Sequence, residues 1–296
     1  MEYKGYSIKR QGNTIIVSGV RDFNPVHIFE CGQSFRWAKQ GDGSYTGIVR
    51  DKVVNIRFEE EALTINNASE DDFIELWYDY FDLGTDYGSI KKQLELKDPF
   101  LNEAVHYGYG IRLLKQDLWE TLISFIISSN NNIPRITKII TAIAKTYGQE
   151  IDFGGCRYYT FPDYTRLAGT SLEQLEVCRG GYRCKYIVQT AAMVAERKVN
   201  LDRLEEMDTE KARAELMKLS GIGPKVADCI LLFSGAHRDV FPTDVWVKRV
   251  MEELYFKREA GIKEIQEFAM SYFGELVGFA QQYLFYYARE KRVGMK

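Results

Sequence analysis

The stretch LSGIGPKVADCILLF, Leu219 to Phe233, closes one helix-like segment, turns through Gly-Ile-Gly-Pro and opens an apolar helix on Lys225. Together, segments 209–218 and 225–235 predict a helix-hairpin-helix at 209–235. Gly221 and Gly223 allow a tight turn and a close backbone approach, and their N–H groups, with the following helix N-terminus, suit an anion such as phosphate. A Walker loop needs GxxxxGK[ST], which is absent. A dinucleotide fingerprint needs a third glycine where Val226 stands, and a preceding strand rather than a helix. Two readings remain for the turn: Gly221 and Gly223 grip a nucleic-acid phosphate, or they form a structural bend between helices.

Lys225 is oddly placed for a solvated charge, because a first-turn cation faces the positive end of the helix dipole. It shares a helix face with Cys229 at i+4, which lays its stem along a small, soft apolar surface. Dipole and partial desolvation are expected to lower its pKa and make it an amine nucleophile; a plain surface lysine is the alternative. Nineteen residues on, Pro242-Thr243-Asp244 places a carboxylate at another helix entrance, where it serves as an N-cap or as the acid partner of Lys225.

The rest of the chain frames this pair. Its 296 residues can bury a substantial core in one large domain or a few smaller ones. Five scattered cysteines fit a reducing compartment rather than a disulfide framework, and three separated histidines argue against a histidine-built metal site. No metal ligand set is expected. No apolar run approaches the roughly 20 residues of a membrane span, and the start lacks the layout of a secretory signal, so an intracellular protein is expected. The net charge of −3 at first opposes a nucleic-acid partner. Its distribution is uneven: residues 59–103 carry thirteen acidic against three basic residues, net −10, whereas 179–198 are net +4 and 286–296 net +3. That segregation builds one basic face or simply several solvated helix faces.

Residues 1–105 alternate short β-type runs, such as NTIIVSGV and KVVNIRF, with glycine turns, and predict an antiparallel sheet. Phe73, Trp77, Tyr80 and Phe81 then form a helical stripe that packs on it. From about 110 onward nearly everything reads as helix. Asp117 with Glu120 resembles a capping box, and the run Ser128 to Asn132 makes an asparagine-rich corner before Pro134 starts the next helix. The expected fold is α+β: an N-terminal antiparallel sheet lobe with helices at 1–105, then a mainly helical body in two lobes at 106–296.

Several separated motifs carry a family resemblance: GQSFRW (Gly32–Trp37), SSNNNIPRIT (Ser128–Thr137), GGYRCKY (Gly180–Tyr186), GIGPKVADC (Gly221–Cys229), PTDVW (Pro242–Trp246) and FAQQYLF (Phe279–Phe285). In this order they resemble the 8-oxoguanine DNA glycosylase/AP lyases of the helix-hairpin-helix DNA glycosylase superfamily. The resemblance implies a damaged guanine flipped out of double-stranded DNA into a pocket. It assigns the Gly32 carbonyl to the N7 hydrogen of the lesion, Cys229 and Phe285 to its two faces, and Gln281 to its Watson–Crick edge. Asn130 and Arg135 would contact the orphaned cytosine with Arg183 assisting, and Tyr182 would wedge into the stack. Asp244 would stabilise charge on the sugar while Lys225 attacks C1′, giving a Schiff base, β-elimination and a nicked strand.

Two departures stand out. Trp246 occupies a position where many eukaryotic members carry histidine, and Pro134 stiffens the asparagine corner. No cysteine follows Cys229, which excludes the four-cysteine iron–sulfur cluster of related glycosylases. The resemblance implies no cofactor beyond a monovalent cation on the hairpin carbonyls, a monomer, and a site of action in the cytoplasm or nucleoid of a prokaryote or the nucleus of a eukaryote. The competing readings are a glycosylase of the same fold for another base, such as an alkylated purine, and a non-catalytic DNA-binding module.

Overall fold

Alternating apolar and polar residues in the first third of the chain produce a sheet. In the computed structural model, which describes residues 1–294, seven strands pair antiparallel in the order β1-β2-β3-β7-β6-β5-β4. They are β1 (Glu2–Tyr3), β2 (Tyr6–Gln11), β3 (Thr14–Ser18), β4 (Trp37–Lys39), β5 (Tyr45–Val49), β6 (Lys52–Glu59) and β7 (Ala62–Asn66). The registers Ile15 to Ile65, Val17 to Leu63 and Ile56 to Ile65 bring these fully buried side chains onto one face. A one-residue slip would turn them to the solvent, so the pattern fixes the register.

Segment 69–81 covers that face. Ser69 and Asp72 form a reciprocal capping box, after which Phe73–Trp77 is π-helical and Tyr78–Tyr80 returns to α-helix. Phe73, Trp77, Tyr80 and Phe81 are buried as the stripe predicted. The wider turn was not foreseen, because a spacing of four apolar residues fits both helix types.

The second core is helical. Helices Tyr87–Glu95 and Pro99–Tyr107 contribute Leu94, Leu101 and Val105 to it, together with residues running to Ala288. The sheet lobe has its own cluster, from Ile8 to Leu83 plus Leu114. After residue 110 nearly everything is helical as expected, with an exception the sequence reading did not name: Glu150–Phe153 and Cys156–Tyr159 form a two-stranded antiparallel hairpin. Gly154 and Gly155 connect them, both at positive φ (61° and 75°), the two-residue turn that glycine pairs favour. Of the basic residues counted in the C-terminal segment, Lys296 lies outside the described residues.

The motif GQSFRW joins the two lobes. Buried Gln33 donates to the carbonyls of Ile28 (3.0 Å) and Arg112 (2.8 Å) and accepts from Leu114 N–H (2.9 Å). Trp37 donates to Tyr80 (2.8 Å) and stacks on Phe29, and a Cβ on its cross-strand partner Gly47 would lie 2.2 Å from the indole. Arg36 donates to the Tyr159 carbonyl and sits 3.1 Å from Glu120. That contact explains a correction. Asp117 does cap helix Leu118–Ser128 through the Glu120 N–H (2.9 Å), but there is no reciprocal bond, because the Glu120 carboxylate is drawn to Arg36.

Candidate active site

The hairpin is held by what lies beneath it. Gly221 adopts φ +81°, and a Cβ there would lie 2.5 Å from the Tyr186 ring, so this position requires glycine twice over. Thr190 donates to the Ser220 carbonyl at 3.3 Å. Gly223 differs: its φ is −99° and the space around it is open. It N-caps helix Pro224–Ser234, Pro224 fills the first turn, and no side chain caps the free N–H groups. The positive end of this helix is therefore open to an anion.

One turn further in, Lys225 and Cys229 enter a cavity of about 340 Å³. Its other walls are Gly32 and Phe35, Phe125, the corner residues Ser128, Asn131, Asn132, Ile133, Pro134 and Ile136, Asp244 and Trp246, and Gln281, Phe285 and Arg289 of the C-terminal helix Val277–Lys291. Mostly apolar walls with a few convergent polar groups are characteristic of small-ligand sites. Asp244 divides its two oxygens between two tasks. Oδ1 accepts from the N–H groups of Trp246 and Val247, both at 2.9 Å, and so caps helix Val245–Val250. The other oxygen takes no hydrogen bond among the described residues, leaving it for the cavity.

The electrostatics correct one expectation. Lys225 sits above the ordinary lysine range rather than below it: its coupling to Cys229 and the charge of Asp244 outweigh the opposing effect of burial. Burial pushes the Cys229 thiol up to about 11, so it is uncharged at neutral pH. Asp244 is then the standing anionic neighbour that keeps the amine protonated.

Residues 15–122 match the family of the 8-oxoguanine DNA glycosylase N-terminal domain, and residues 123–275 match the HhH-GPD superfamily of base excision DNA repair proteins. This chain belongs to that superfamily. The N-glycosylase/DNA lyase OGG1 of Arabidopsis thaliana is 32% identical to it, over 87% of this chain and 75% of its own length. The Clostridium acetobutylicum 8-oxoguanine glycosylase/lyase, solved with double-stranded DNA containing cytosine opposite 8-oxoguanine, superposes with a TM-score of 0.94 at 42% identity, covering 97% of this chain and 99% of the other. MBOgg1, solved with a low-affinity DNA ligand, gives 0.95 at 50% identity with the same coverage.

Within this superfamily fold, Gly32, Lys225, Cys229, Asp244, Gln281 and Phe285 line one cavity although they span 254 positions of sequence. Asn130, Arg135 and Tyr182 lie outside it on the exposed surface, with Asn130 at φ 48°. Arg183 is placed differently from a DNA-facing side chain. It is buried, and its guanidinium donates to the carbonyls of Ser129 (3.1 Å from Nε) and Asn130 (2.9 Å), holding the corner from below.

Sequence reasoning missed several residues of the cavity: Phe35, Phe125 and Phe233 as apolar wall, and Gln282 and Arg289 as polar wall. Arg289 had a usable signal, since it continues the stripe of Gln281 and Phe285 at intervals of four. Gln281 donates to the Pro242 carbonyl at 3.1 Å, which fixes its amide and leaves Oε1 buried without a partner. Gln282 Oε1 and Arg289 Nη1 are also buried and unpaired. Three such atoms around one cavity mark a site that awaits a polar ligand. Among the described residues, no group of three or more His, Cys, Asp or Glu side chains is placed to hold a metal.

Proposed function

We propose that this protein is a bifunctional DNA repair glycosylase that excises 8-oxoguanine from duplex DNA and nicks the abasic strand. The observation that carries the proposal is an amine and a carboxylate, each at a helix N-terminus, opening into one base-sized cavity beside an uncapped hairpin. In this reading the hairpin N–H groups take a backbone phosphate while the extruded nucleotide enters the cavity. Cys229 and Phe285 face the two sides of the base, Gln281 meets its Watson–Crick edge, and the Gly32 carbonyl accepts the N7 hydrogen that oxidation adds. Normal guanine presents an acceptor there, and two opposed lone pairs would disfavour it. Asn130, Arg135 and Tyr182 are assigned to the gap and cytosine left behind. Arg183 acts through the corner it supports.

The chemistry follows from the cavity's charges. Lys225 first gives up a proton, and its lone pair then attacks C1′. The electron pair of the N-glycosidic bond leaves with the base, which takes up a proton, and the free oxygen of Asp244 stabilises positive charge on the sugar meanwhile. Loss of the second amine proton and opening of the sugar ring give a Schiff base. Removal of a C2′ proton expels the 3′ phosphate, and water releases Lys225. No step here is routed through a cation. The monovalent cation expected at the hairpin would draw on turn carbonyls such as Leu219 O and Ser220 O, each of which accepts one hydrogen bond, from Ile222 and Thr190, and keeps a second lone pair.

No helix among the described residues is long and apolar enough to cross a membrane. Action inside the cell, as a monomer on DNA, belongs to the same proposal. A non-catalytic module would leave Lys225 and Asp244 without a reason to share the cavity, and an alkylated-purine glycosylase would not need the amine. Borohydride trapping on a duplex containing 8-oxoguanine tests the reading. The unsubstituted protein should form a covalent adduct and Lys225→Gln should not; binding of the duplex without any adduct would refute the lyase step.

A further inference from the structure

Arg289 lies two turns beyond Gln281 on the C-terminal helix, and only one of its outer nitrogens has a partner. Nη2 donates to the Glu30 carbonyl, and Nε reaches Glu290 Oε1 at 3.0 Å. Nη1 is buried and unpaired, and it would lie 2.9 Å from a Cβ on Gly32. The guanidinium carbon stands 5.5 Å from the Phe285 ring centroid, so the group reaches over the aromatic wall toward the Gly32 backbone. A buried charged donor without a partner is costly, which makes a ligand acceptor at this point the natural completion of the site.

From this geometry we infer that Arg289 is a specificity-determining residue that donates from Nη1 to the C6 carbonyl oxygen of the everted base. The inference rests on the 8-oxoguanine reading above. Around a purine, the C6 oxygen lies between the Watson–Crick edge and N7, whereas the C8 oxygen lies between N7 and the sugar. Gln281 and Arg289 share one helix, with Gly32 beside Arg289, while Lys225 approaches from the hairpin toward the sugar. Arg289 therefore stands on the C6 side. Gly32 and Arg289 together present an acceptor and a donor to the N7–H and C6=O of the lesion. A 6-amino purine places a donor against the guanidinium, so the pair also rejects oxidised adenine.

The test is single-turnover kinetics of Arg289→Leu and Arg289→Lys on three duplexes carrying 8-oxoguanine, 8-oxoadenine or a preformed abasic site. Arg289→Leu should slow 8-oxoguanine excision by about ten- to a hundredfold, the usual weight of a charge-assisted hydrogen bond. It should change abasic nicking by less than about twofold, because that substrate offers no C6 oxygen, and should hold or raise 8-oxoadenine excision, because the donor facing the 6-amino group is gone; Arg289→Lys should recover part of the loss on 8-oxoguanine. Unchanged 8-oxoguanine excision overturns the inference. So does a loss of equal size on either control duplex, the result expected if Arg289 merely braces the Glu30 loop or holds a phosphate. If the unsubstituted protein nicks abasic DNA but leaves 8-oxoguanine in place, the parent reading fails instead.

Discussion

Asp244 carries a structural and a chemical task on different oxygens, and two substitutions separate them. Asparagine keeps a side-chain oxygen for the Trp246 and Val247 N–H groups and is as good an N-cap as aspartate. Asp244→Asn should therefore lose only the charge–dipole contribution, about 0.3–1 kcal/mol, whereas Asp244→Ala loses the cap as well and should fall by about 1–2 kcal/mol. Catalysis sorts the variants differently. Both remove the negative charge from the cavity, and loss of one preorganised electrostatic partner typically costs about a hundred- to a thousandfold in rate. Both variants should then excise 8-oxoguanine comparably slowly despite their unequal stabilities. Asp244 also raises the Lys225 pKa, so Asp244→Asn should move the alkaline rise of abasic-site nicking to lower pH. Urea denaturation gives the first ordering and single-turnover kinetics the second. If Asp244→Asn excises 8-oxoguanine within threefold of the unsubstituted protein, or if rates simply follow stability, the carboxylate is a helix cap and nothing more.

Three further outcomes are expected. Gly221→Ala should destabilise the protein by about 1–3 kcal/mol, from positive φ and the Tyr186 contact, and weaken binding to undamaged duplex; adding Tyr186→Ala should return part of the stability by removing the contact. Gln281→Ala should reduce lesion excision far more than affinity for undamaged DNA, with equal losses on both speaking against its place in the base pocket. Glu120 is pushed up to about 7 by burial, with the nearby Arg36 opposing and Asp117 adding to the effect. The folded chain then holds its proton where the unfolded chain, near 4.5, has lost it, so this contribution to stability is complete below about 4.5 and gone above about 7. Glu120→Gln removes that slope, and its stability relative to the parent should rise between pH 5 and 8 by at most roughly 3 kcal/mol; parallel urea profiles would count against it.

Much of this molecule was legible because its signals are local. The hairpin declares itself through Gly221 and Gly223, and the i+4 relation of Lys225 to Cys229 survives in the structure because helix geometry guarantees it. The antiparallel sheet was readable from the β-type runs around Ile15, Ile56 and Ile65, while the pairing of those runs came from the structure. What was missed depends on long-range packing or on two competing effects. The direction of the Lys225 shift turned first on Cys229, which the sequence showed at i+4 but which was read only as an apolar surface, and then on Asp244, whose approach only the fold supplies. Glu120 looked like the second half of a capping box because nothing local reveals that Arg36, 84 positions earlier, claims its carboxylate. The β-hairpin at Gly154-Gly155 was a plain oversight of a glycine-pair turn, hidden within an otherwise helical stretch.

The Arg36 contacts bear on where the work of recognition is done. One side chain from the sheet lobe fastens both the small hairpin, through Tyr159, and the helix bearing Glu120, while its neighbour Gln33 bonds three backbone groups of the same frame. Phe35, between them, is cavity wall. The receptacle is thus stiffened when the chain folds and requires little rearrangement when a nucleotide arrives. The energetic burden of the encounter then falls on the duplex, which must give up stacking and pairing to deliver its base, and a weakly paired or damaged nucleotide surrenders these most readily.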